Sequence, residues 1–307
     1  MKLSPIVLFT YKRLETLKKT IESLSANKLA AVSDLIVYSD GSKTATDELL
    51  VAQVRAYLKT VSGFKTITIH ESPINKGLAN SIIEGVTDII EQYGKVIALE
   101  DDLIVSQNFL VFMNDAMNFY EQNQKVFSVS GYGLKVALPE NYEYDVYFTP
   151  RGLSWGWATW KDRWATVDWE VKDFEQLKTD KKAKQKLALG GTDLFPMLKK
   201  QMENNLDSWA IRWFYSQCKS NQLTVFPVLS KVQNDGFDTD ATHTNVFNRY
   251  KISFDFSNQQ EFIFQKSADI NPVILHSFQK YYTVFSRIFF GRIISPLYRL
   301  KQNFIKK

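Results

Sequence analysis

Four short apolar runs, separated by segments of helical period, occupy the first hundred residues. This alternation restricts the chain to very few folds. Pro5-Ile-Val-Leu-Phe-Thr10, Leu35-Ile-Val-Tyr38, Lys65-Thr-Ile-Thr-Ile-His70 and Lys95-Val-Ile-Ala-Leu99 are rich in β-branched and aromatic residues, and read as strands. Between the first two, Leu14, Leu17, Ile21 and Leu24 recur at helical spacing, and residues 47–60 and 77–93 read as two further helices. Strands and helices in turn, joined by short connections, predict an α/β chain with an open, mostly parallel, doubly wound sheet. No repeat or low-complexity segment interrupts it.

Ligands of such sheets bind beyond the carboxyl ends of the strands. Four clusters fall there: Thr10–Arg13, Asp40-Gly41 within the turn-forming run 39–42, residues 72–77, and Glu100-Asp101-Asp102. No Gly-x-Gly-x-x-Gly or Walker-type loop follows the first strand, so a nucleotide must be held differently from a dinucleotide or a P-loop ligand. Three adjacent carboxylates repel one another and cost stability unless a cation offsets them. A hard divalent ion such as Mg2+ or Mn2+ takes carboxylate oxygens together with diphosphate oxygens, so the triplet suits a metal–nucleotide complex. The plainer alternative is a solvated acidic turn.

Charge separates the body of the chain from its end. Of 307 residues 38 are Lys or Arg and 33 Asp or Glu, and seven of the basic residues lie in 270–307, where no carboxylate occurs. Residues 1–269 therefore carry about −2 of the net +5, so no basic groove, and no nucleic-acid partner, is expected. One cysteine, Cys218, allows neither an internal disulfide nor a Cys-rich zinc site. The apolar run near the N-terminus is too short for a signal peptide or a span, which leads to an expectation of a cytoplasmic protein.

Residues 5–13, Ser39-Asp-Gly-Ser42 and Ala98-Leu-Glu-Asp-Asp-Leu-Ile-Val-Ser106, in this order and spacing, resemble the nucleotide-sugar glycosyltransferases of the GT-A fold. Within that superfamily the chain is similar to the inverting N-acetylglucosaminyltransferase I family, which has a Glu-Asp-Asp-Leu strand end, an aromatic-rich helix (here 108–120) and a Val-Ser strand (here 126–130). Over the whole chain it also resembles bacterial family-2-like polysaccharide glycosyltransferases, notably at Ser154-Trp-Gly-Trp-Ala-Thr-Trp-Lys-Asp-Arg-Trp164. The likeness spans roughly residues 4–245. It implies that Asp102 ligates a Mn2+ or Mg2+ ion bridging the donor diphosphate, that Asp101 reaches the ribose, and that Glu100 contacts the donor sugar. Arg13 and Thr10 would lie by the nucleotide, Asp40 would read the base, a uracil, and Lys76 would add a contact.

All seven tryptophans lie between 155 and 213. Indole faces suit sugar rings, and Trp155 and Trp209 are expected at the donor, whereas Trp160, Trp164 and Trp169 read as core. An inverting transferase needs one carboxylate to take the acceptor proton; the resemblance assigns this to Asp207, which also reads as an N-cap. Ser208 stands where the family has a second Asp. His243, in the polar loop that begins at Gln233, is expected to ligate the metal or contact phosphate. The organisation expected is a GT-A domain over 1–245, with a nucleotide half (1–130) and an acceptor half (131–245), followed by an extension over 246–307. Its basic, aromatic tail is expected on the inner face of the membrane, where such enzymes extend a polyprenyl-diphosphate-linked saccharide acceptor. A sugar-nucleotide nucleotidyltransferase and a non-catalytic carbohydrate-binding protein are the competing classes; the first normally opens with a Gly-rich loop that 10–13 lacks.

Overall fold

The computed structural model describes residues 3–236, 250 and 252–289. His243 and the tail beyond residue 289 lie outside them. The first half follows the predicted alternation: β1 (Ile6–Thr10), α1 (Leu14–Ser25), β2 (Asp34–Ser39), α2 (Ala45–Leu58), β3 (Thr66–Glu71), α3 (Leu78–Tyr93) and β4 (Lys95–Glu100). Two glycines punctuate it where backbone with positive φ is needed, Gly77 before α3 (φ 76°) and Gly94 after it (φ 80°). After β4 come β5 (Leu103–Val105), α4 (Phe109–Tyr120), β6 (Val126–Ser130), β7 (Val146–Thr149) and β8 (Trp157–Trp160). Five helices follow, α5 (Lys161–Trp164), α6 (Phe174–Thr179), α7 (Lys181–Ala188), α8 (Leu194–Met202) and α9 (Trp209–Lys219). Then come β9 (Leu223–Pro227), β10 (Val232–Asn234), α10 (Pro272–Gln279) and α11 (Val284–Phe289).

Eight strands form one sheet in the order β3-β2-β1-β4-β8-β6-β9-β7. The pairs β1–β2, β1–β4, β2–β3 and β6–β9 are parallel, while β8 lies antiparallel between β4 and β6. The α/β architecture and mostly parallel sheet are thus as expected, with β7 and β8 as antiparallel members. Strand alternation sends Ile6 and Leu8 into a core under α1, α2 and α4, and Val7 and Phe9 into a second core under α3 and α9. The second core is the tryptophan cluster. Trp157 is 4.5 Å from Trp213, 5.1 Å from Trp209 and 5.7 Å from Trp164 (ring centroids), so most of the indoles serve packing.

A small antiparallel pair, β5 with β10, brings Asn234 opposite Leu103. Residues 252–282 return to the first core, where Phe262 meets Phe112 edge-on at 5.2 Å and Phe278 packs on Phe226 at 5.3 Å. Two buried ion pairs fasten this segment. Lys231 pairs with Asp255, which also accepts from Asn108 (2.9 Å) and from the Ser257 amide (2.8 Å). Arg151 pairs with Asp193 (2.7 Å) and lies 3.8 Å over the ring of Tyr282.

Candidate active site

Thr10, Ser39 and Glu100 close three adjacent parallel strands, so the loops after β1, β2 and β4 open on one edge. The acidic triplet sits in this edge, and its countercharge comes from the protein. One Arg13 nitrogen, Nη2, donates to Asp101 (2.7 Å) and to Asp102 (2.8 Å). Asp101 also accepts from the Thr10 hydroxyl (2.8 Å) and the Tyr11 amide (3.2 Å). Arg13 therefore offsets part of the repulsion within the triplet. Thr10 and Asp101 are both buried, and the Thr10 hydroxyl donates to the Asp101 carboxylate.

The charges remain strongly perturbed. Burial disfavours the Arg13 cation, but Asp101 and Asp102 more than reverse this and hold its pKa above the ordinary arginine range. Glu100 is pushed up to about 8 by burial, then by Asp102 and Asp101, with Arg13 opposing. Asp102 is also raised, by burial first, against the pull of Arg13. No three His, Cys, Asp or Glu groups converge as a metal cage among the described residues. A Mg2+ or Mn2+ ion needs none here, because it is commonly held by one or two carboxylates plus substrate phosphates. The donor set fits that pattern in its chemistry: hard carboxylate oxygens, those of Asp102 and Glu100, at the carboxyl end of β4.

The chain just beyond β10 closes on Asp102. The Asp235 amide donates to the Asp102 carbonyl (2.8 Å), Lys19 holds the Asp235 carboxylate (2.7 Å), and the Gly236 amide donates to Asn234 Oδ1 (2.7 Å). A Cβ at Gly236 would lie 2.3 Å from Asp102 Oδ2, so any larger residue would displace that carboxylate. Gly236 was legible as part of a polar loop, not as a contact of the carboxylate.

Asp40 is 8 % exposed and fully engaged. Its Oδ1 accepts from the amides of Gly41 (2.9 Å) and Lys76 (2.8 Å); its Oδ2 accepts from Asn75 Nδ2 (3.1 Å) and the Gly77 amide (3.0 Å). A carboxylate has about four acceptor sites, and all are used. Asp40 thus anchors residues 75–77 of the loop that follows β3. Lys76 pairs with Glu84 (2.5 Å) on α3. Two residues without a sequence signal complete this edge. Arg55 donates to the carbonyls of Ser72 (2.6 Å) and Asp40 (3.2 Å), and Asp47 gathers Tyr11 (2.8 Å), Lys12 (2.7 Å) and Thr44 (2.9 Å).

Trp209, expected at the donor, is 3 % exposed and packs within the indole cluster. Trp155 is partly buried, edge-on to Tyr132 (4.8 Å) and Tyr250 (5.4 Å). The α9 cap is Ser208, whose hydroxyl accepts from the Ile211 amide (3.4 Å), so Asp207 is the residue before the cap. Asp207 is exposed. Its position follows from topology. α9 leads directly into β9, which runs in the same direction as β4, so the start of α9 lies at the carboxyl edge of the sheet. Trp209 confirms the depth: it packs on Trp157, which pairs with Ala98, two residues before Glu100.

No family model matches the chain, and no curated protein does. Among solved structures, S. aureus TarS is 14% identical, with 75% of this chain and 58% of that chain covered and a TM-score of 0.40. The mannosyltransferase from Pyrobaculum calidifontis, in complex with GDP-Man and Mn2+, is 12% identical over 53% of this chain and 46% of its own, with a TM-score of 0.35. The 4-diphosphocytidyl-2C-methyl-D-erythritol synthase from Anaerococcus prevotii is 12% identical over 75% and 90%, at 0.38. The chain spans about half the length of the first two.

Proposed function

We propose that this chain is a metal-dependent inverting glycosyltransferase that moves a sugar from a nucleotide-sugar, a UDP-sugar, to a saccharide acceptor. The observation that carries the reading is the ion-paired Arg13–Asp101–Asp102 cluster at the carboxyl edge of β1 and β4, with an exposed carboxylate, Asp207, on the same edge. Bound Mn2+ or Mg2+ would neutralise charge on the departing diphosphate. Asp102 and Glu100 would hold it, and His243 is proposed as a further ligand. Arg13, its fork already aligned by two carboxylates, stands to meet phosphate oxygens. Asp207 takes the proton from the acceptor hydroxyl, and its exposure keeps it open to an incoming substrate. Asp40 and Arg55 hold the loop backbone and Lys76 beside the base, and Trp155 presents its ring to the donor sugar.

The division at residues 130 and 245 is part of the same proposal, as is a lipid-linked acceptor met at the inner membrane face. No described helix is long and apolar enough to cross a membrane. α11 does expose Phe285 (76 %) and Ile288 (48 %) at the start of the acid-free basic segment, which supports a peripheral contact. Chromatography of nucleotide-sugar reactions tests the central reading. Nucleoside diphosphate should be released only with divalent metal, and Asp207→Asn should lower that rate about 100-fold or more. Release of inorganic diphosphate from a nucleoside triphosphate and a sugar 1-phosphate would instead identify a nucleotidyltransferase.

A further inference from the structure

Arg212, one turn into α9 beyond Asp207, is the exception among the arginines whose side chains the structure describes. Arg13, Arg55, Arg151 and Arg163 each lie within ion-pair distance of a carboxylate. Arg212 has no ion pair among the described residues. Its one hydrogen bond there runs from Nη1 to the Trp169 carbonyl (3.1 Å), its guanidinium carbon is 5.9 Å from the centre of that indole, and its Nε is buried without a partner. A partly buried cation with an unsatisfied donor and no counter-ion costs stability, so proteins ordinarily pair it. Burial holds the Arg212 pKa below the usual arginine range, and Asp207 acts in the opposite sense. Asp207 immediately precedes the cap of α9 and Arg212 lies near the start of the same helix, five residues on.

We infer that Arg212 receives an oxyanion of the acceptor, a phosphate or a carboxylate, and so turns the acceptor hydroxyl toward Asp207. A guanidinium presents two parallel N–H donors that match either group. The inference rests on the transferase reading and narrows it: the acceptor carries negative charge close to the hydroxyl that reacts. Arg212 completes an ion pair only when substrate is present, which explains a guanidinium that keeps none among the described residues of the protein alone.

Glucose 6-phosphate and glucuronate serve as probes. Each is titrated into the full chain without nucleotide, and the melting temperature is followed. Wild type should be stabilised by at least one of them, and which one distinguishes phosphate from carboxylate. R212Q should respond to neither, and R212K should bind about fivefold more weakly or worse, for want of the fork. No response in wild type, or an equal response in R212Q, overturns the inference; so does unchanged affinity in R212K, which carries the comparison if R212Q does not fold. UDP with Mn2+ is added to the same samples. Its failure to stabilise wild type would sink the transferase reading separately. Its loss in R212Q alone would move Arg212 to the donor diphosphate and overturn the acceptor assignment.

Discussion

Asp101 and Asp102 are neighbours with opposite duties, and the difference is visible in what each accepts. Asp101 takes a hydroxyl, an amide and a guanidinium, so its removal strands three buried or half-buried donors. Asp101→Ala is expected to cost about 2–4 kcal/mol in urea unfolding. Asp102→Asn should stay within about 1 kcal/mol of wild type, because Arg13 keeps Asp101 and one member of a repelling triplet loses its charge. Equal losses in the two variants would contradict the division. The sequence marked the triplet correctly as a place of concentrated charge. It hid the fact that Arg13, 88 residues away from Asp101, supplies the compensation. Periodicity locates strand ends, whereas the partner of a side chain depends on tertiary closure.

At the scale of elements, the strand order explains why the first half of the molecule was readable and the second was not. β1 to β4 are parallel, buried and separated by amphipathic helices, each announced by its own period. β7 and β8 are four-residue strands set among loops, and the indoles of β8 look alike whether they meet a sugar or another indole. Only the packing of Trp157, Trp164, Trp209 and Trp213 on one another decides for the core. The contact between the end of β10 and Asp102 belongs to this scale as well. Gly236→Ala would drive a methyl into the carboxylate, and something must shift. The expected result is about tenfold weaker UDP–Mn2+ affinity by calorimetry, with the melting temperature lowered by only a few degrees. Unchanged affinity would separate this glycine from the site.

The molecule as a whole is closed by its returning C-terminal segment, fixed at the buried Lys231–Asp255 pair. Burial works against the Asp255 carboxylate, but Lys231, Ser257 and Asn108 hold its pKa below the ordinary value. A depressed carboxylate contributes stability above the unfolded-state pKa of about 3.9, and loses it as pH falls through the lower folded-state value. Asp255→Ala leaves a buried ammonium unpaired and should cost about 3–5 kcal/mol at pH 7. The gap between variant and wild type in urea unfolding should narrow as pH falls below the unfolded-state value of about 3.9. A gap that stays constant would show that Asp255 acts through packing alone.

Thermal melting of the full chain with UDP, with and without Mn2+, on wild type and Asp102→Asn, bears most directly on the central claim. If the edge formed by Arg13 and the acidic triplet is a metal–nucleotide site, UDP stabilises wild type only when Mn2+ is present, and the substitution abolishes the effect. Stabilisation that persists without metal or in Asp102→Asn, or none in wild type, would leave the triplet as an acidic turn neutralised by its own arginine.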